Sequence, residues 1–189
     1  MAQKKINVAI ALTWFRIAAI PMVVLVFLFG TGYWARPASM MIFTIAGFTD
    51  WLDGYLARRL GLTSRFGAFL DPVADKLMVT TALVLVVQGD PQWYIALAAA
   101  IIIGREIAIS ALREWMAEIG ARSQVAVSPF GKIKTILQMV GLGAMLYLRP
   151  IWGMDVYTFG LVLLTAAAAL TLWSMIEYIR AAWPSLNSE

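Results

Sequence analysis

Apolar residues run along this chain in long blocks broken by short polar punctuation, with neither the strict alternation of a half-buried strand nor the polar faces of soluble helices. Six blocks, about 7–29, 38–60, 68–87, 93–117, 131–148 and 156–182, approach the roughly 20 residues needed to cross a bilayer as a helix. The turns between them are marked by Gly30-Thr31-Gly32, Gly89-Asp90-Pro91 and Arg149-Pro150. The pattern predicts an all-α membrane protein of six transmembrane helices, with residues 1–189 forming one integral membrane domain. Lys4 and Lys5 precede an apolar run that continues to about Phe29, which reads as a spanning segment and not as a cleaved leader.

Composition agrees. The 189 residues are 61% hydrophobic and 14% charged, with a mean hydropathy of +0.79. A soluble domain of this size must turn much of its surface to water and could not hide that apolar share. The net charge of +4 is distributed unevenly. With the N-terminus inside, the outer loops hold Arg36 and Arg149, while the inner side holds Lys4, Lys5, Arg58, Arg59, Arg65, Arg122, Lys132, Lys134 and Arg180. The positive-inside rule therefore places both termini at the cytoplasm, and the basic excess suits anionic headgroups better than nucleic acid.

The chain has no cysteine and no histidine. Thiolate chemistry and zinc sites built on Cys or His are excluded, and a general base near neutral pH must be a carboxylate, lysine, tyrosine or water. Any bound metal would take oxygen ligands, as Mg²⁺, Mn²⁺ and Ca²⁺ do. Against this background the acids of the second and third blocks stand out. Asp50 and Asp53 are three apart and share a helix face; Asp71 and Asp75 are four apart and share another. A short turn between the blocks makes the helices antiparallel, so all four carboxylates can meet in one pocket. Charged groups are costly inside a membrane and point to function. Four together repel one another unless cations intervene; Lys76 and Arg58 can offset part of the charge, and a pair of divalent ions offsets it better. Gly54, inside a helix beside Asp53, and Gly67, four residues before Asp71, leave room for a ligand against the backbone.

The stretch Asp50-Trp51-Leu52-Asp53-Gly54-Tyr55-Leu56-Ala57-Arg58, followed by Gly67, Asp71 and Asp75 at fixed intervals, resembles the signature of the CDP-alcohol phosphotransferase family at every position. That resemblance implies six transmembrane helices, a metal-dependent site at the cytoplasmic face of the inner (plasma) membrane, and a homodimer. It implies that Asp50, Asp53, Asp71 and Asp75 hold Mg²⁺ or Mn²⁺ in a two-metal site, that Asp75 is also the catalytic base, and that Asp50, Asp53, Gly54, Arg58 and Gly67 line the CDP site.

The second half bears on the acceptor. Arg105 and Arg113 are eight apart on the fourth block and point to similar sides. Ser128 and Pro129 suit the start of the fifth helix, which puts Lys132 and Lys134 at the positive end of its dipole, an unfavourable place unless an anion binds there. A phosphate on the acceptor would supply it, with Arg105, Arg113 and Lys132 as its ligands; positive-inside residues and Arg–Glu neighbours pairing with each other are the ordinary alternative. The stretch Ile103-Gly104-Arg105-Glu106-Ile107 through Gln138-Met139, with Leu12-Thr13-Trp14-Phe15-Arg16 and Ile20-Pro21, resembles the branch of the family whose acceptor is glycerol 3-phosphate. The expected reaction is transfer of the phosphatidyl group from CDP-diacylglycerol to glycerol 3-phosphate, giving phosphatidylglycerophosphate and CMP. Sister enzymes using inositol phosphate, serine or phosphatidylglycerol are the alternative, and a cation transporter that uses the aspartates as its ion path is a remote one. Arg16, inside the first block, must face protein or a headgroup: it either approaches the pyrophosphate or pairs with an aspartate.

Overall fold

The computed structural model describes residues 8–60, 65–120 and 130–186. Among these residues the fold is all-helical, with six helices in chain order: α1 Val8–Phe29, α2 Ala35–Leu60, α3 Arg65–Gly89, α4 Trp93–Glu118, α5 Phe130–Tyr147 and α6 Val156–Leu186. Each falls on one of the six apolar blocks, with ends displaced by a few residues. Ser128 and Pro129, expected to open the fifth helix, lie outside the described residues.

Three helices contain segments long and apolar enough to cross a membrane: Ala11–Phe29, Trp93–Glu118 and Val156–Arg180. The 22 residues of α1 rise about 33 Å, which matches a hydrocarbon core about 30 Å thick. The others fall short for identifiable reasons. α2 and α3 carry the aspartates and arginines that lower their hydropathy, and the apolar part of α5, Ile133–Tyr147, is short. The protein is membrane-embedded on this evidence, and its surface agrees: Met22, Leu25, Met41, Val84, Leu97 and Val162 point outward, as lipid allows and water would not.

All six helices feed one core, which includes Val23, Phe43, Leu83, Ile102, Leu142 and Leu164. α1 lies against α2 and α3, α2 against α5, and α4 against α6. The most extensive contact joins α5 to α6, and glycine makes it possible. A Cβ on Gly160 would stand 2.7 Å from the Gly141 carbonyl oxygen, and one on Gly141 would stand 2.9 Å from that of Gly160. The two backbones therefore approach as closely as small-residue helix crossings permit. At one end of the bundle, α6 starts with Asp155, whose carboxylate accepts the backbone N–H of Tyr157 and Thr158 at 3.0 and 3.1 Å and the Thr158 hydroxyl at 2.6 Å. The same end carries Tyr33, Trp34, Trp93, Tyr94 and Trp152, all exposed, as residues of a membrane–water interface are.

Candidate active site

The aspartates of α2 and α3 do not stand alone; α1 comes to meet them. Thr13 and Arg16, nearly one turn apart on α1, are each 1% exposed. The Thr13 hydroxyl donates to Asp71 Oδ1 at 2.6 Å, and Arg16 Nη1 lies 2.7 Å from Asp50 Oδ1. One face of α1 thus fastens one acid from each partner helix. Of the two roles open to Arg16, pairing with an aspartate is the one this structure displays. Asp50 acts through space on both Asp71 and Asp75, which places three of the four acids in one electrostatic neighbourhood. Thr13 carried no signal of its own in the sequence, because a threonine in an apolar run is unremarkable.

The side chains of Asp53, Arg58 and Lys132, and the surroundings of Gly54, lie outside the described residues. Gly67 sits at the start of α3, one turn before Asp71. Among the described side chains no three acidic groups form a ready metal cage. The donor chemistry still suits a hard divalent cation: the described acids that converge here offer carboxylate oxygen, the chain has no histidine or cysteine to offer instead, and a cationic guanidinium already rests on Asp50.

Two cavities open beside these acids. The larger, about 840 Å³, runs between α2 and α5 from Asp50 and Asp75 to Trp152 and Phe159, past Phe43, Gly47, Met139 and Gly143. Apart from the acids and two threonines its walls are apolar or glycine. The smaller, about 60 Å³, is mixed, with Asp75, Lys76, Glu106, Lys134 and Gln138 on its walls beside Val79, Leu83 and Ile102. Asp75 and Thr135 border both.

The small cavity is framed by charge. Lys134 and Arg105 are buried. Arg105 Nη1 lies 3.3 Å from Glu106 Oε2, and Lys134 Nζ lies 3.8 Å from the same oxygen. Arg105 also donates to Ser174 Oγ on α6 at 3.1 Å and faces the Tyr178 ring at 5.6 Å. Lys76, beside Asp75, donates to Ser110 Oγ on α4, and Ser110 in turn donates to the Glu106 carbonyl at 2.7 Å. Of the expected phosphate ligands, Arg105 stands behind Glu106, one residue removed from the walls of this cavity. Arg113 is exposed farther along α4 and makes no ion pair among the described residues. Lys134, Glu106 and Gln138 are additions. Lys134 was visible in the sequence as a basic residue near a helix start, but nothing there told it apart from Lys132.

Residues 6–173 match the family described as CDP-alcohol phosphatidyltransferase. The chain is 53% identical over 176 residues to a CDP-diacylglycerol–glycerol-3-phosphate 3-phosphatidyltransferase of Salmonella choleraesuis (strain SC-B67), covering 93% of this chain and 94% of that one. It is equally 53% identical over 182 residues to the enzyme of the same name from Yersinia pestis (strain Pestoides F), covering 96% and 98%. The match extends well past the aspartate signature and through both cavities. This chain belongs to the CDP-alcohol phosphatidyltransferase family.

Proposed function

We propose that this protein transfers the phosphatidyl group of CDP-diacylglycerol to glycerol 3-phosphate, releasing CMP and phosphatidylglycerophosphate. The observation that carries this reading is the position of Asp75, which stands on the wall shared by a large apolar cavity and a small charged one that also holds Lys76, Lys134 and Glu106. The substrates have the same division. Diacylglycerol chains need a long apolar groove, which the α2–α5 cavity offers, and a phosphorylated acceptor needs buried cations, which Arg105 and Lys134 offer. Free serine brings no phosphate to those cations. The relatives' shared name specifies the same donor and acceptor.

The acceptor's hydroxyl oxygen attacks the lipid-bearing phosphorus, the bond to the bridging oxygen breaks, and its electron pair leaves with CMP. Asp75 takes the hydroxyl proton. A carboxylate at this junction is within reach of an acceptor whose phosphate rests on Arg105 and Lys134, and such positioning supplies much of the rate. Asp50, Asp53, Asp71 and Asp75 would hold Mg²⁺ or Mn²⁺, whose chemistry when bound is neutralisation of the pyrophosphate and of the charge on departing CMP. Thr13 and Arg16 keep Asp71 and Asp50 in place for that task. Gly54, Arg58 and Gly67 line the CDP site in this reading, and Lys132 remains a candidate ligand of the acceptor phosphate. All six helices cross the inner membrane, with the aspartates on the cytoplasmic side, and the protein works as a homodimer.

The test is CMP release by the purified protein given CDP-diacylglycerol, a divalent cation and a panel of acceptors. Glycerol 3-phosphate should support metal-dependent release well above inositol phosphate, serine or phosphatidylglycerol. Release that favours an acceptor without a phosphate monoester overturns the acceptor assignment, and no release with any acceptor overturns the reaction.

A further inference from the structure

The small cavity contains an imbalance that the reaction scheme does not use. Two buried cations, Arg105 and Lys134, approach the same atom of one carboxylate, Glu106 Oε2, while Asp75, the other acid on the cavity wall, is claimed by the reaction. The separations of 3.3 and 3.8 Å exceed the roughly 2.7–2.9 Å of a firm charge-assisted hydrogen bond. The burial is unequal as well. The side chains of Arg105 and Lys134 are 9% and 7% exposed, whereas that of Glu106 is 37% exposed. The cations are held by the fold; the anion has solvent to turn into. Arg105 Nε is buried and has no hydrogen-bond partner among the described residues, so the guanidinium still has a donor to offer.

We propose that Glu106 is a built-in anion that occupies the Arg105–Lys134 pair until the acceptor's phosphate displaces it. The inference rests on the reading of glycerol 3-phosphate as the acceptor and gives Glu106 a positioning role within it. A single carboxylate oxygen is shared between two cations. A phosphate monoester brings three terminal oxygens and up to two charges, so it can satisfy Lys134, the Arg105 amino groups and the idle Nε together. Without Glu106 the two buried cations would have only Asp75 nearby to balance them, which is costly. With Glu106 in place the empty site stays folded, and only a ligand that outbids one carboxylate gains entry. Weakly anionic acceptors are thereby excluded. The cavity of about 60 Å³ is several times the roughly 10–15 Å³ that one water needs.

The experiment compares wild type with Glu106→Gln in full-length protein, reading thermal unfolding with inorganic phosphate as the probe and kinetics with both substrates. Removing the competitor should lower KM for glycerol 3-phosphate about three- to tenfold, the factor by which a dominant closed state depresses apparent affinity. KM for CDP-diacylglycerol should not change. The variant should melt earlier without anion and gain more from inorganic phosphate than wild type gains. The unfolding measurement decides the matter even if turnover is lost. If Glu106→Gln does not yield folded protein, Glu106→Asp, with a shorter and looser reach, should shift KM and phosphate response the same way by a smaller amount. A raised KM for glycerol 3-phosphate with a phosphate response no larger than wild type's overturns the proposal and makes Glu106 a permanent structural counter-ion. That outcome leaves the acceptor assignment standing, whereas wild-type preference for an acceptor without a phosphate monoester removes the assignment itself.

Discussion

Arg16 on α1 reaches across to Asp50 on α2 with 2.7 Å between Nη1 and Oδ1, and its own side chain is 1% exposed. A buried guanidinium in an otherwise apolar helix is stable only against an anion, so this pair ties α1 to the acidic cluster. Arg16→Met should break it. The loss should lie below the roughly 3–5 kcal/mol found when one member of a fully buried pair is removed, because the Asp50 side chain remains 42% exposed. Added Mg²⁺ should restore part of the melting temperature by neutralising the acids that Arg16 no longer balances. Thermal unfolding with chelator and with Mg²⁺ checks this; a variant that melts like wild type in both would dismiss the pairing.

Asp75→Asn removes the proposed base and little volume. Turnover should fall by about 10²–10⁴, the usual contribution of a positioned proton acceptor. CDP-diacylglycerol binding should survive better than in Asp50→Asn, where a group that borders the donor cavity and pairs with Arg16 is neutralised. Equal loss of binding in the two variants would contradict the separate role of Asp75.

The limits of sequence reasoning show most clearly at particular residues. The helices were legible because each hydrophobic block is uninterrupted enough to need lipid or core around it, and the aspartates were legible because charge in such blocks has no bland explanation. Of their supports, Arg16 was legible as a group that either approaches the pyrophosphate or pairs with an aspartate, whereas Thr13 was not. Thr13 acts through a hydroxyl that an apolar context conceals, and it meets Asp71 across 58 positions of chain. Arg105 and Arg113 look equivalent by spacing. One turns into the α4–α6 contact toward Ser174 while the other faces out, a difference set by where α6 packs. Gly141 meets Gly160 only through the crossing of α5 and α6, which no local pattern announces.

That crossing makes its own prediction. A methyl group at Gly160 would meet the Gly141 carbonyl oxygen at 2.7 Å and Ala144 Cβ at 2.8 Å. The first obstacle is backbone, which cannot rotate away as a side chain does. Gly160→Ala should destabilise by about 1–3 kcal/mol, the range for overpacking a close contact. It should also disturb the groove wall, since α5 supplies Met139, Val140 and Gly143 there. Unchanged unfolding would mean that the helices part freely. A fall in stability with unchanged KM for CDP-diacylglycerol would dissociate the crossing from the groove.

Asp155 gives a pH dependence whose sign is determined. Its hydrogen bonds, first that from the Thr158 hydroxyl and then those from backbone N–H groups, hold the carboxyl below its usual range. A folded value lower than the unfolded one means the cap stabilises fully above about pH 4 and is lost as pH falls through the folded value. Asp155→Ala should therefore melt below wild type near neutrality, and the gap should close under acid. A gap that widens on acidification would reverse the assignment.

Orientation can be read directly, because the chain contains no cysteine and any introduced thiol reports alone. Trp152, between α5 and α6, is 96% exposed, and Glu118, at the opposite end of the bundle, is exposed at the close of α4. With the aspartates toward the cytoplasm, Trp152→Cys should react with a membrane-impermeant maleimide in intact cells. Glu118→Cys should react only after permeabilisation. Trp152 borders the far end of the donor groove, so thermal unfolding, not turnover, certifies that the labelled proteins are folded. The reverse labelling pattern would place the catalytic carboxylates on the outer side, where neither a cytoplasmic nucleotide-linked lipid head nor a cytoplasmic sugar phosphate could reach Asp75, and the proposed reaction would have to be given up along with the topology.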